Sequence, residues 1–155
     1  MMKTKLVLLA AFTLGACAEG PQPSEHAIKQ ECRLELETAR TAIHLRDQGK
    51  TKQAMLQTLP PLTPTSSRLL QQMYHVIDEV YAFPGLNEIV YGTYRYEYCV
   101  HQLQQQSVPR QLQDVFPHLL ACQSQYGMTV SKQVVACVRA AFPNSTNTQA
   151  PVPAN

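Results

Sequence analysis

The positions of five cysteines constrain the fold of this 155-residue chain more than any other feature. Four of them, Cys32, Cys99, Cys122 and Cys137, lie in the part of the sequence that has helical patterns. If they form two disulfides, each bridge fixes which helices lie side by side, because bonded cysteines have Cα atoms about 4.4–6.8 Å apart. The fifth, Cys17, follows an apolar run and has no partner in this scheme. Because Cys17 directly follows an apolar run of the kind found in export signals, its role depends on which compartment the chain enters.

The N-terminal sequence has the pattern of an export signal. Lys3 and Lys5 precede an apolar stretch of 11 residues, 6–16. A membrane-spanning helix needs about 20 residues, whereas this length fits the apolar region of a cleaved signal. Gly15 and Ala16 supply the small residues expected before a cleavage site. We therefore expect residues 1–16 to be a signal peptide.

The segment "LGAC" that ends at Cys17 resembles the lipobox of bacterial lipoproteins. The resemblance implies that a diacylglycerol is attached to the Cys17 sulfur, that residues 1–16 are removed, and that the new N-terminus receives a fatty acid such as palmitate. An Asp at residue 18 would resemble the signal that retains lipoproteins in the inner membrane. Residue 18 is Ala, so the resemblance favours the outer membrane, with the domain facing the periplasm. More than one acyl chain gives stable anchoring without a transmembrane helix. The alternatives are a plain secretory signal cut near Ala18 and a cytosolic chain.

Composition limits the domain count and the partners of the mature chain. Removal of residues 1–16 takes away two lysines and no acid, which leaves 11 basic and 11 acidic residues. A net charge of zero argues against nucleic acid binding, which depends on a basic surface. Residues 17–24 are expected to be a lipidated flexible tether, residues 25–142 one helical domain, and the uncharged residues 143–155 a disordered tail.

Amphipathic spacing and terminal residues predict the helices. In the first, apolar residues recur at steps of three or four from Ile28 to Ile43, between a capping Ser24 and a terminating Gly49. Further helices are predicted over residues 51–58, from 69 to the residue before Pro84, from the capping Asn87 to about 103, from Pro109 to 126, and from Thr129 or Ser131 to 142.

The segment "TYRYEYCV" (93–100) also has the alternation of a half-buried strand. The flanking sequences "NEIV" and "HQLQQQ" extend a helical register, and no partner strand is evident, so a helix is favoured. The expected fold is therefore all-α, a single compact bundle of five or six short helices linked by two disulfides.

Turn geometry selects one of the three possible cysteine pairings. The midpoint between Cys122 and Cys137 is position 129.5, inside the turn expected at 127–131. Residues equidistant from the turn of an antiparallel helix hairpin lie opposite each other, so these two can bond. Cys32 and Cys99 then form the second disulfide. Export to an oxidising compartment is consistent with both bridges.

The alternative use of the cysteines is a zinc site. Cys99 lies two residues before His101, and His118 lies four residues before Cys122. Zinc accepts mixed Cys and His ligands. Neither spacing is a Cys-x-x-Cys pair, and the compartment favours disulfides, so we expect no metal and no other cofactor.

Nothing in the sequence predicts a catalytic site. Asp78 and Glu79 are adjacent, and adjacent positions on a helix point about 100° apart. The pairs His44 with Asp47 and His75 with Glu79 have helical spacing, but charged helix surfaces produce such pairs without catalysis. We therefore expect a protein that is not an enzyme.

The segment 91–98 is rich in tyrosine and is the strongest candidate for a partner-binding surface. Tyr91, Tyr94 and Tyr98 form one helical stripe, with Arg95 beside it. Tyr and Arg are enriched at binding hot spots. The alternative is that the stripe belongs to the core, with hydroxyl groups that reach its edge.

These features together favour a non-enzymatic outer-membrane lipoprotein that binds another envelope protein. In general plan it resembles the small helical pilotin lipoproteins of secretion systems. That resemblance rests on lipidation, size, helix content and a disulfide, and it implies that a partner peptide lies in a groove between helices. The alternative is a periplasmic inhibitor or immunity protein that blocks a toxin or a hydrolase.

Overall fold

Polar side chains determine where most of the helices begin. In the computed structural model, which describes residues 23–127 and 129–143, one residue before each of five helices accepts a hydrogen bond from the backbone N–H three positions later. These capping residues are Ser24, Thr51, Ser67, Asn87 and Ser131. Each cap satisfies a backbone donor that the first turn of a helix leaves unpaired.

The described part of the chain contains six helices and no strand, and the prediction of an all-α bundle is confirmed. The helices are α1 (Glu25–Asp47), α2 (Lys52–Leu56), α3 (Arg68–Ala82), α4 (Glu88–Leu103), α5 (Leu112–Tyr126) and α6 (Lys132–Arg139). The ambiguous segment 93–100 lies wholly within α4, so the helical interpretation of it is confirmed.

Helices α1 and α4 form the centre of the bundle and run antiparallel. A disulfide joins Cys32, near the start of α1, to Cys99, near the end of α4. Further along, Gly92 of α4 lies against Arg40 of α1, and a Cβ at position 92 would lie 3.1 Å from the Arg40 Cγ. The missing side chain thus allows the two helices to approach closely. Helix α3 also packs on α1, and the core extends from these three helices to buried residues of α2, α5 and α6.

Helices α5 and α6 form a hairpin that packs against α4. The second disulfide joins Cys122 of α5 to Cys137 of α6, so both predicted bridges are confirmed. Leu119, Val134 and Val138 of this hairpin are fully buried. The turn symmetry that selected the pairing is therefore present in the structure.

The start of α5 differs from the prediction. Helix α5 begins at Leu112 and not at Pro109, and Pro117 lies inside it. Proline has no backbone N–H, so the helix continues through position 117 with one hydrogen bond fewer. The predicted signal peptide, Cys17 and most of the tether lie outside the described residues, as do residues 144–155 of the predicted tail.

Candidate functional site

The tyrosine-rich segment of α4 lies in the core of the bundle. Tyr91 and Tyr94 are each 1% exposed and Arg95 is 0% exposed. Tyr98 is partly buried, and its ring centroid lies 5.9 Å from that of Tyr94. The prediction that Tyr91, Tyr94, Arg95 and Tyr98 form a partner-binding surface is therefore wrong, because three of these four residues are inaccessible to a partner. The stripe belongs to the core, as the alternative interpretation had it.

Arg95 is the centre of a buried polar network that joins three helices. Its Nη2 donates to Glu35 of α1 and to Gln72 of α3, each at 2.8 Å. Its Nη1 donates to Glu79 of α3 at 3.3 Å. The guanidinium carbon also lies 4.8 Å from the centre of the Tyr98 ring, within cation–π range. A buried charge is tolerated only when it is paired in this way.

The Glu79 carboxylate has three donors around it. Tyr91 donates its hydroxyl to Oε2 at 2.7 Å, on the same oxygen as Arg95, and His75 Nε2 lies 3.2 Å from Oε1. Desolvation opposes the charge, but the hydrogen bond from His75, the Arg95 charge and the Tyr91 hydroxyl outweigh it and lower the pKa of Glu79. Burial raises the pKa of Tyr91, which keeps its hydroxyl as a donor. This network therefore holds helices together.

An apolar groove opens between α1, α2 and α3. Its volume is about 490 Å³, which lies in the range of ligand and peptide pockets, about 300–1,000 Å³. Its apolar walls are formed by Leu34, Ala42, Leu45, Ala54, Met55, Leu59, Met73 and Ile77. Leu34 at one end is 52% exposed, a large apolar side chain that faces solvent.

The threonines of the groove add to its apolar character. The Thr38 hydroxyl donates to the Leu34 carbonyl at 2.8 Å, and the Thr58 hydroxyl donates to the Met55 carbonyl at 2.7 Å. Both hydroxyls are thus satisfied within their own segments. What these side chains offer an occupant is mainly their methyl groups, so recognition would depend on apolar contact.

Two charged residues lie near opposite ends of the groove. Glu37, near the Leu34 end, is exposed, and Lys50, which follows α1, is exposed at the other end. The α1 residues that line the groove run from Leu34 to Leu45. At about 1.5 Å per residue they cover about 16 Å, or three helical turns.

The α5–α6 disulfide has a histidine beside it. His118 Nε2 lies 2.8 Å from the Cys137 carbonyl oxygen and 3.5 Å from Cys122 Sγ. The proposed alternative of a mixed Cys and His metal site paired His118 with Cys122, and Cys99 with His101. All four of the cysteines that the structure describes are in disulfides, so neither set offers a thiolate.

The structure brings together one of the three acid or histidine pairs considered from the sequence. Asp78 points away from Glu79 and pairs with Lys52 at 2.8 Å. Asp47 pairs with Arg46, while His44 contacts Gln48. Only His75 and Glu79 are in contact, and the Glu79 carboxylate already has Arg95 and Tyr91 as partners.

The groove residues were not identified from the sequence. The apolar stripe of α1 that the periodicity identified contains Ile28, Cys32, Ala39 and Ile43, which are buried. A second stripe, Leu34, Thr38, Thr41 and Leu45, lies on another face of the same helix. The signal that the sequence offered was Leu34, a large apolar residue between the charged positions of α1 and outside the buried stripe.

None of the helices in the described part of the chain is long and apolar enough to cross a membrane. Comparison of the sequence and structure with protein-family models, with curated proteins and with solved structures found no match to this chain.

Proposed function

We propose that this protein is a non-enzymatic outer-membrane lipoprotein whose helical domain binds another protein of the bacterial envelope. A lipid on Cys17 anchors it to the membrane, facing the periplasm. The bound element is a short amphipathic helix of the partner, which places its apolar side in the groove between α1, α2 and α3. The protein thus acts as an adaptor that holds its partner at the membrane.

The observation that carries this proposal is the groove itself. Most large apolar side chains of the described residues are buried or half-buried, but Leu34 is 52% exposed at the groove edge. Apolar surface exposed in a continuous groove gains about 25 cal/mol for each Å² that a partner covers. A concave apolar site of this volume with a few polar groups at its edge supports a binding role.

The dimensions of the groove favour a helix as its occupant. Three turns of α1 line it, so a partner helix of about 11 residues can lie alongside at full contact. Met55 and Met73 lie in the groove, and methionine side chains adapt to irregular partner surfaces. Helix-in-groove recognition uses anchors at steps of three and four residues, which match this spacing.

Charge at the two ends indicates the composition of that helix. Glu37 would attract a Lys or Arg of the partner, and Lys50 at the other end would attract an Asp or Glu. Such exposed pairs contribute mainly to orientation and to the rate of association. The expected partner segment is therefore apolar on one side, with opposite charges about three turns apart.

The test is photo-crosslinking in intact cells, with a photoreactive amino acid at Thr41, which is exposed within the groove. A crosslinked envelope protein is expected, with the contact in a segment of the composition described above. A synthetic peptide of that segment should bind the purified domain. Leu34→Asp should weaken that binding at least about 10-fold, because it places a charge in an apolar contact.

Leu62→Asp is the matched control, because Leu62 is 46% exposed and does not line the groove. It should leave crosslinking and peptide affinity unchanged. Equal effects of the two substitutions would count against the groove. A lipid or another small molecule found in the groove by native mass spectrometry, with no protein crosslinked, would contradict the proposal.

A further inference from the structure

The two disulfides lie in different surroundings. Cys32 and Cys99 are fully buried within an apolar cluster that includes Ile28 and Tyr96. In the other bridge Cys122 is fully buried, but Cys137 is partly exposed. A thiolate in solution can attack a disulfide only at a sulfur that it can reach. Of the two bridges, Cys122–Cys137 is therefore the more accessible, at its Cys137 end.

His118 is placed to assist that exchange. Its Nε2 lies 2.8 Å from the Cys137 carbonyl oxygen, and a carbonyl oxygen only accepts, so Nε2 carries the hydrogen of this bond. The same nitrogen lies 3.5 Å from Cys122 Sγ. His118 and Cys122 are four residues apart within α5, which fixes the ring beside the sulfur.

We propose that Cys122–Cys137 is a thiol–disulfide exchange site, with Cys137 as the attacked sulfur, Cys122 as the leaving sulfur and His118 as the donor that stabilises it. This site is separate from the groove and independent of its function. The ligand it takes is a thiolate, from a small thiol or from a cysteine of another protein.

In the exchange, the attacking thiolate forms a new S–S bond with Cys137, and the bond between Cys137 and Cys122 breaks. Its electron pair goes to Cys122, which leaves as a thiolate that accepts the Nε2–H of His118. A second thiolate can then attack the mixed disulfide and release Cys137, so two external thiols become one disulfide while Cys122 and Cys137 are reduced.

Apolar contacts besides this bridge hold the hairpin in the bundle. Val134 and Val138 of α6 are fully buried, and Phe142 beyond it packs 5.6 Å from the Tyr94 ring. These contacts hold α6 against α4 whether or not Cys137 is bonded. The bridge closes a loop with a sequence separation of only 15, and the longer-range Cys32–Cys99 bridge stays in place when it opens.

The test is reaction of the purified folded domain with reduced glutathione, followed by alkylation and peptide mass spectrometry that measures each disulfide separately. Cys122–Cys137 is expected to open at least about 10-fold faster than Cys32–Cys99, which serves as an internal reference. His118→Phe keeps a ring but removes the donor, and it should slow opening several-fold. The same substitution at the exposed His44 should change neither rate.

Two further variants test the direction of attack. With Cys122→Ser, the Cys137 thiolate should attack added oxidised glutathione and keep one glutathione as a mixed disulfide while the other leaves as a thiolate, whereas with Cys137→Ser the buried Cys122 should stay free. Circular dichroism verifies that both variants fold. The proposal is overturned if both bridges open together at the rate of unfolding, if His118→Phe reacts like the unsubstituted domain, or if oxidised glutathione modifies Cys122 in Cys137→Ser faster than Cys137 in Cys122→Ser.

Cys122→Ser also distinguishes the sources of the thiol. On a non-reducing gel from intact cells, a shift by the mass of a protein identifies a protein thiol. A small mass increase identified by mass spectrometry indicates a small thiol. In this variant, a Cys137 that stays unmodified both in intact cells and with added oxidised glutathione would overturn the proposal.

Discussion

Arg95 and Glu35 form a buried ion pair between α4 and α1, with Nη2 and Oε2 2.8 Å apart and the side chains 0% and 2% exposed. Oε2 of Glu79 in α3 lies 3.3 Å from Nη1 of the same guanidinium, so one cation pairs with two carboxylates. A buried pair gains little over apolar packing, but removal of one partner leaves an uncompensated charge. The main effect of this network is therefore to fix the arrangement of α1, α3 and α4, and its net contribution to the free energy of unfolding is small.

Arg95→Met should lower the free energy of unfolding by about 3–5 kcal/mol, because it leaves the buried Glu35 and Glu79 without their cation. Urea unfolding at neutral pH measures the loss. Arg40→Met is the matched control, since Arg40 and Glu88 are both partly exposed and 3.9 Å apart. That substitution should cost less than about 1 kcal/mol.

A second substitution separates charge from packing. Glu35→Gln combined with Arg95→Met removes one of the two stranded carboxylates, so the double variant should be more stable than Arg95→Met alone. Equal losses for Arg95→Met and Arg40→Met, or no recovery in the double variant, would show that the network does not act through its charges.

Acid should weaken the fold through Glu79. Its pKa is lowered in the folded protein, since donors from His75, Arg95 and Tyr91 outweigh desolvation. A lowered folded pKa contributes stability that is present above the ordinary value of 4.5 and is lost as the pH falls through the folded value. The free energy of unfolding should therefore decline below about pH 4.5.

Urea unfolding at a series of acidic pH values measures this slope. Glu79→Gln cannot titrate, so its stability should start lower at neutral pH and depend less on pH over the same range. If the slope of Glu79→Gln equals that of the unsubstituted protein, other carboxylates cause the acid loss.

The helices and disulfides were predictable because their signals are local. Ser24, Asn87 and Ser131 cap helices through the third residue that follows them. The Cys122–Cys137 pair followed from the symmetry of a single turn, and this left Cys32 with Cys99 as the remaining pair.

The interior network and the groove were not predictable because each depends on residues distant in sequence. Arg95 is buried only because α1 and α3 bring Glu35 and Glu79 to it, from 60 and 16 residues away. Without those partners, an arginine among tyrosines has the composition of an exposed binding surface. The groove likewise requires α2 and α3 to form walls beside Leu34 and Leu45 of α1.

The two disulfides should contribute unequally to stability. Cys32–Cys99 closes a loop with a sequence separation of 67, and Cys122–Cys137 one of 15. Chain entropy then gives about 4.4 kcal/mol for the first bridge and about 3 kcal/mol for the second. Double Cys→Ala variants, compared by urea unfolding under oxidising conditions, should keep this order. The reverse order would mean that native packing, and not loop closure, sets the contributions.

The lipid anchor makes a separate prediction at Cys17. Cells fed a labelled fatty acid should incorporate the label into the protein, and mass spectrometry should find a mature N-terminus at Cys17 that carries acyl groups. Cys17→Ser removes the sulfur that the lipid requires, so it should be unlabelled and should leave the membrane fraction or keep residues 1–16. Ala18→Ser leaves the sulfur intact and should be labelled normally. A mature chain that begins after Cys17 without acyl groups would instead identify a plain secretory signal, and the domain would then be free in the periplasm.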